Sequence, residues 1–322
     1  MNITDIKKNL KIPLIAAPLF IISNPKLVIE QCKAGVVGSF PALNARPQHV
    51  LAEWIIRIKT ELAEYQAANP DAKVAPFAVN QICHASNDRL MEDMQTCVEQ
   101  EVPIIITSLR PPAELVEAAH SYGGLVFHDV INVKHAKKAA EQGVDGLILV
   151  CAGAGGHAGA LSPFALVREV KEWFDGTIIL SGSIGDGYSV ASSLALGADL
   201  AYMGTRFIAT EEANADQGYK KMLEESAADD IVYSSLFTGI HGNYLKPSID
   251  KAGLDSNNLP EADKTSMNFG SGGNTDAKAW KDIWGSGQGI GGIVDSPPVQ
   301  ELVDRIQSEY KEATQEFIRK SS

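Results

Sequence analysis

Gly146-Leu-Ile-Leu-Val-Cys-Ala-Gly-Ala-Gly-Gly-His-Ala-Gly159 and Thr177-Ile-Ile-Leu-Ser-Gly-Ser-Ile-Gly-Asp-Gly187 repeat one local plan, an apolar run too short for a helix that ends in glycines. A run of this length bounded by turn residues reads as a strand buried on both faces, and the second copy passes directly into helical sequence. Working outward, short apolar runs recur every 22 to 39 residues or so, at 12–19, 35–43, 74–80, 102–109, 124–131, 146–150, 177–180 and 199–207. Helical segments separate them. Pro25 opens one, Ser86-Asn-Asp88 caps another, and Gln142-Gly143 and Leu196-Gly197 close two more. Eight βα units predict a closed (β/α)8 TIM barrel. An open doubly wound sheet would place G-x-G-x-x-G after its first strand, where this chain reads Ala16-Ala-Pro-Leu19. The glycine loops instead follow the sixth, seventh and eighth strands, where barrels build phosphate sites.

The formal charge of −12 argues against nucleic acid or an anionic membrane as partner, since both require a clustered basic surface. No segment reaches about 18 uninterrupted apolar residues, and the expectation is a cytosolic protein acting on a small molecule. Cys32, Cys83, Cys97 and Cys151 are too scattered for a C-x-x-C pair or a secreted disulfide framework. No H-x-x-x-H, H-E-x-x-H or Cys/His cluster supports a metal site.

His157, alone among glycines at the end of a strand, is the candidate catalytic group. Gly155 and Gly156 beside it leave room for a flat ligand to approach the backbone. Gly182, Ser183 and Gly185, followed by a helix, form with Gly204 and Thr205 of Tyr202-Met-Gly-Thr-Arg-Phe207 a candidate phosphate cradle. No G-x-x-x-x-G-K-[ST] is present and no lysine is set to neutralise several phosphates, so a single phosphate on a flat cofactor is expected, which suggests FMN. Beyond Phe207 the pattern changes. The division expected is a barrel over 1–233, a Gly/Ser/Asn/Pro-rich cap over the barrel mouth at 234–292, and a terminal segment at 293–322. In that last segment Val299, Leu302, Val303, Ile306 and Tyr310 form one helical face against the barrel exterior.

Ala16-Ala-Pro-Leu-Phe20, Cys32-Lys-Ala-Gly-Val-Val-Gly38, Asn80, Gly153-Ala-Gly-Gly-His-Ala-Gly159, Gly182-Ser-Ile-Gly-Asp-Gly187, Met203-Gly-Thr-Arg-Phe-Ile-Ala-Thr-Glu-Glu212 and Gly287-Gln-Gly289 together resemble the FMN-dependent nitronate monooxygenases. The resemblance spans nearly the whole chain, in order. It implies FMN at the C-terminal mouth of the barrel, with Gly182, Ser183, Gly185, Gly204 and Thr205 around its phosphate, Ala17, Pro18 and Asn80 beside its ring, Gln288 reaching in from the cap, and His157 at its reactive face. It also implies oxidation of alkyl nitronates by O2 to a carbonyl compound and nitrite, with His157 orienting the substrate or removing an α-proton. One departure stands out: many relatives carry His-Lys at the end of the fifth strand, and this chain has His128-Asp129. That removes a cation from the flavin's pyrimidine edge and leaves a protonated His128 as its substitute.

Two other functions compete. One is an FMN-dependent NAD(P)H reductase of the quinone or enoyl-acyl-carrier-protein type on the same scaffold; the other is a barrel that binds a phosphorylated ligand without redox chemistry. Of the remaining histidines, His49, His84, His120 and His135 read as surface or capping groups, and His241 lies in the expected cap. Cys151 reads as packing, Trp280 and Trp284 as anchors of a glycine-rich loop, and Glu211 and Glu212 as the start of the eighth helix.

Overall fold

The computed structural model describes residues 2–110, 112–260 and 283–321. The chain begins its main sheet with β1 (Leu14–Ala16), β2 (Gly38–Pro41), β3 (Phe77–Cys83), β4 (Ile104–Leu109), β5 (Leu125–Val130) and β6 (Gly146–Val150). After a two-residue strand of a second sheet, β7 (Gly156–His157), the main sheet resumes with β8 (Thr177–Ser181) and β9 (Leu200–Met203). All seven neighbouring pairs of the eight main-sheet strands run parallel in the order β1-β9-β8-β6-β5-β4-β3-β2. The two ends meet through a parallel bridge between Ile15 and Val37, with Ala16 N–H donating to Val37 O at 2.8 Å. The sheet is therefore a closed barrel built from the eight expected strands.

Two apolar layers explain the parity of each strand. Inside the barrel, Ile15, Val37, Ala78, Ile106, Phe127, Ile148, Ile179 and Leu200 pack together. Outside, Val79, Ile105, Val126, Leu147, Leu149 and Ile178 pack under the helices. Both faces of the barrel strands are buried over most of their length, which is why the strands read as continuous apolar runs without alternation.

The region after β9 is organised by long-range pairing. β10 (Ile231–Ser234) and β11 (Gly242–Leu245) form an antiparallel hairpin, and β11 pairs with β7 through Gly242 and His157. The helix Val299–Ser321 buries Val299, Leu302, Val303 and Ile306 against the outside of the barrel, beside the helix Gly187–Leu196. Its N-terminus settles the role of Glu212. Residue 212 precedes the helix Gln217–Glu225, which is capped by Asp216, and its carboxylate instead accepts from Val299 N–H at 3.1 and 3.2 Å. A carboxylate there complements the helix dipole of the terminal helix, so the acid serves a helix distant in sequence from the expected one. The Ser86-Asn-Asp88 cap is also displaced: Arg89 precedes the helix Leu90–Glu99, and Asn87 accepts from the Arg89 N–H. Among the described residues no helix is long and apolar enough to cross a membrane.

Candidate active site

A cavity of about 280 Å³ opens at the C-terminal ends of the barrel strands. Its wall is made by the segment after β1 (Ala17, Pro18, Leu19, Phe20), by Asn80, Ser108 and Asp129 from β3, β4 and β5, and by the loops after β6, β8 and β9. This is the face at which a barrel's strand-end loops converge. Of the residues singled out in the sequence, Ala17, Pro18, Asn80, Gly155, Gly156, His157, Gly182, Ser183, Gly204 and Thr205 line it together. His128, Gly185 and Gln288 do not.

His157 is held by both its backbone and its ring. Pairing of β7 with β11 fixes the backbone, and Nε2 lies 2.9 Å from Thr238 Oγ1. With the Thr238 hydroxyl proton given to Ile240 O at 3.0 Å, its oxygen accepts from His157 Nε2–H. That assigns the Nε2–H tautomer from the hydrogen-bond network and leaves Nδ1 as the basic nitrogen. Burial lowers the His157 pKa to about 4, and the ring is neutral at physiological pH. Two glycines beside it have separate physical causes. A Cβ on Gly155 would lie 2.8 Å from Gly287 N, so the loop after β6 packs directly on the backbone of the 287 segment. Gly156 has φ +65°, and a Cβ there would meet nothing within 4 Å on the cavity wall.

The barrel floor carries the polar groups. Asn80 Nδ2 donates to Ser108 Oγ at 3.0 Å, and Ser108 Oγ donates to Asp129 Oδ2 at 2.7 Å. Asp129 Oδ1 and the Tyr202 hydroxyl have no hydrogen-bond partner, although both atoms are closed to solvent. Burial raises the Asp129 pKa to about 7 and holds the Tyr202 phenol well above its ordinary value. Among the described residues, no lysine or arginine lines the cavity. His128 does not supply the missing cation. Strand parity sends Phe127 and Asp129 inward and His128 outward, where its Nδ1 meets Thr107 Oγ1 at 2.8 Å. Buried there, His128 has its pKa lowered to about 4 and is uncharged.

The other end of the cavity is backbone-rich. Gly182, Ser183, Ile184, Gly204 and Thr205 face it together with Gly287 and Gly289. Ser183 adopts φ +56°, an uncommon conformation for a residue with a side chain and one that clusters at ligand clamps. Thr205 Oγ1 accepts from Gly287 N–H at 2.9 Å and keeps its own proton to donate. The helix N-terminus behind this loop is already occupied. Gly187 N–H donates to Glu309 Oε2 at 2.8 Å, Ser189 N–H donates to Asp186, and Gly185 N–H donates to Ser189 Oγ at 3.1 Å. Gly185 therefore shapes the loop from outside the cavity wall, and the helix dipole expected to assist an anion is satisfied by carboxylates. Gln288 uses its backbone N–H to hold Gly153 O at 2.9 Å.

Several residues in and around the cavity carried no readable signal in the sequence. Tyr219 stacks on Trp284 with ring centroids 4.7 Å apart and donates its hydroxyl proton to Gly285 O, which ties Trp284 to the cavity wall. Trp280 lies outside the described residues. Ser108, Tyr202 and Thr238 are ordinary residues whose roles depend on what the fold brings beside them. His241 is exposed and stacks obliquely on Tyr233. Cys151 is buried in the layer outside the barrel, its thiol pushed up to about 12 by burial, which suits packing.

A protein-family model described as nitronate monooxygenase matches residues 3–309. The nitronate monooxygenase of Paraburkholderia phytofirmans is 26% identical over 352 aligned positions, covering 95% of this chain and 94% of that protein. FabK from Thermotoga maritima superposes with a TM-score of 0.78 at 22% identity, over 99% of this chain and 98% of that one. Nitroalkane oxidase from Streptomyces ansochromogenes superposes with a TM-score of 0.73 at 20% identity, over 98% and 99%. At these identities the two structural likenesses speak to the barrel alone.

Proposed function

The chain belongs to the nitronate monooxygenase family and is an oxidoreductase, and from that premise we propose that it uses FMN and O2 to convert alkyl nitronates to a carbonyl compound and nitrite. The observation that carries this reading is His157, locked as a neutral Nε2–H imidazole on the wall of a cavity that is rich in backbone at one end and polar at the other. The cavity suits the cofactor. The loops at 182–184, 204–205 and 287–289 offer close backbone and the Thr205 hydroxyl to a phosphate, Gly156 leaves open space for a ring, and Asp129 and Tyr202 have polar atoms that lack partners. When bound, FMN supplies the acceptance of electrons from the carbanion-like nitronate carbon and their passage to O2.

The protein's own part is proton handling and positioning. His157 Nδ1 accepts the α-proton of a neutral nitroalkane, and the imidazolium so formed pairs with the nitronate it has made. A nitronate taken directly from solution brings a negative charge that raises the proton affinity of the same ring and gives the same pair. Trp284 and Tyr219 close the side of the cavity and limit water. The test is a visible spectrum followed by anaerobic mixing. Released FMN, bleaching by an alkyl nitronate without NADH, and sharply reduced turnover in a flavin-loaded His157→Ala variant are expected. A colourless protein, bleaching by NADH alone, or full turnover in that variant overturns the reading.

A further inference from the structure

We propose that Asp129 and Tyr202 together hold the hydrogen-bonding edge of the flavin ring, and that the charge on Asp129 sets how readily the ring takes up electrons. The proposal rests on the FMN reading above and adds to it the residue that controls the cofactor. Its basis is an unsatisfied pair. Asp129 Oδ1 on β5 and the Tyr202 hydroxyl on β9 are both closed to solvent, both without a hydrogen bond, and both on residues of the cavity wall. Buried polar atoms are rarely left in that state, and two on one wall mark where a ligand brings matching groups. The pyrimidine edge of a flavin offers what they lack: carbonyl oxygens for the Tyr202 proton and an N–H or a carbonyl for the carboxyl.

The chain fixes Asp129 from behind through Ser108, which donates to Oδ2 at 2.7 Å and is itself held by Asn80 at 3.0 Å. Among the described residues, the titratable groups coupled to Asp129 are Tyr202 across the barrel and the Cys83 thiol at the end of β3, both neutral at physiological pH. Among the described residues no cation on the wall offsets the carboxylate. Burial places its titration near neutrality, about 7. Below that pH the carboxyl is neutral and can donate to the ring; above it, an unpaired negative charge lies beside a ring that becomes anionic on reduction. The balance then changes. An oxidised ring takes two electrons and one proton, and above the titration point Asp129 takes up a second proton as those electrons arrive.

The experiment titrates the flavin-loaded protein with dithionite against a reference dye over a range of pH. Above neutrality, the parent protein should disfavour the reduced ring by an extra tenfold per pH unit, about 30 mV for a two-electron couple. Asp129→Asn should lack that extra slope and coincide with the parent at about pH 5.5, where the parent carboxyl is protonated. Tyr202→Phe, which keeps the carboxyl, should keep the slope and release flavin more easily. A constant slope through neutrality in the parent protein, which needs no variant, overturns the proposal, as does the same extra slope in Asp129→Asn. Either result leaves the FMN reading intact, whereas a colourless protein overturns both.

Discussion

Replacing Thr238 with valine removes one oxygen and nearly nothing else, so it isolates the contact that holds the imidazole proposed to act on substrate. In the parent chain Thr238 Oγ1 accepts from His157 Nε2 at 2.9 Å while donating to Ile240 O at 3.0 Å. Valine takes away that acceptor beside a partly buried N–H and removes the bias toward the tautomer with a basic Nδ1. Leaving a buried donor without its acceptor costs about 1–3 kcal/mol, and each 1.4 kcal/mol or so is tenfold in the fraction of productive rings. We expect kcat/KM with an alkyl nitronate to fall about 5- to 150-fold on that basis. The flavin-to-protein ratio should be unchanged, because Thr238 is not on the cavity wall. Thr238→Ser, which keeps the hydroxyl, should behave like the parent. Steady-state turnover on flavin-matched samples measures the effect. Unchanged kcat/KM in Thr238→Val would refute the reasoning that this hydroxyl fixes the ring.

Two further outcomes test the barrel and its loops. His128 is buried with a pKa lowered to about 4, against about 6.5 in the unfolded chain, so the folded state binds fewer protons between those values. Stability from this group is complete above pH 6.5 or so and falls by about 3 kcal/mol as pH drops toward 4. Asp129 has the opposite sign, its raised pKa favouring the folded state as pH falls. Because Asp129 is present in both proteins, urea midpoints at neutral and acid pH should show a shallower acid loss in His128→Asn than in the parent, and equal losses would refute the assignment. Gly155→Ala drives a methyl to 2.8 Å from Gly287 N and should lower both melting temperature and flavin content. Gly156→Ala meets no neighbour and should cost only the left-handed backbone strain, about 1–2 kcal/mol. A Gly155→Ala protein as stable as the parent would mean the two loops are not packed as described.

The barrel was legible because parallel strands buried on both faces appear as apolar runs and the helices between them carry their own start and stop residues. The same property hid the floor of the site. Leu125-Val-Phe-His-Asp-Val130 has apolar residues and one polar residue on each face, so the sequence offers no alternation to say whether His128 or Asp129 points inward. Register supplies it: Phe127 packs inside the barrel, and the period of two carries Asp129 to the cavity while His128 turns to Thr107. The loop at 182–187 was likewise readable as a turn into a helix. That its helix N-terminus is filled by Glu309, far along the chain, was not.

By itself the sequence determined the eight βα units, the glycine loops after the sixth to eighth barrel strands, and His157 as the titratable group among them, since each follows from local periodicity and from what glycine permits. Only the tertiary structure decided the chemistry of that group and of the floor. Pairing of β7 with β11 brings Thr238 to His157, and closure of the barrel brings Asn80, Ser108, Asp129 and Tyr202 from four strands to one cavity. Protonation state depends on burial and on partners distant in sequence, and neither exists until the chain has folded.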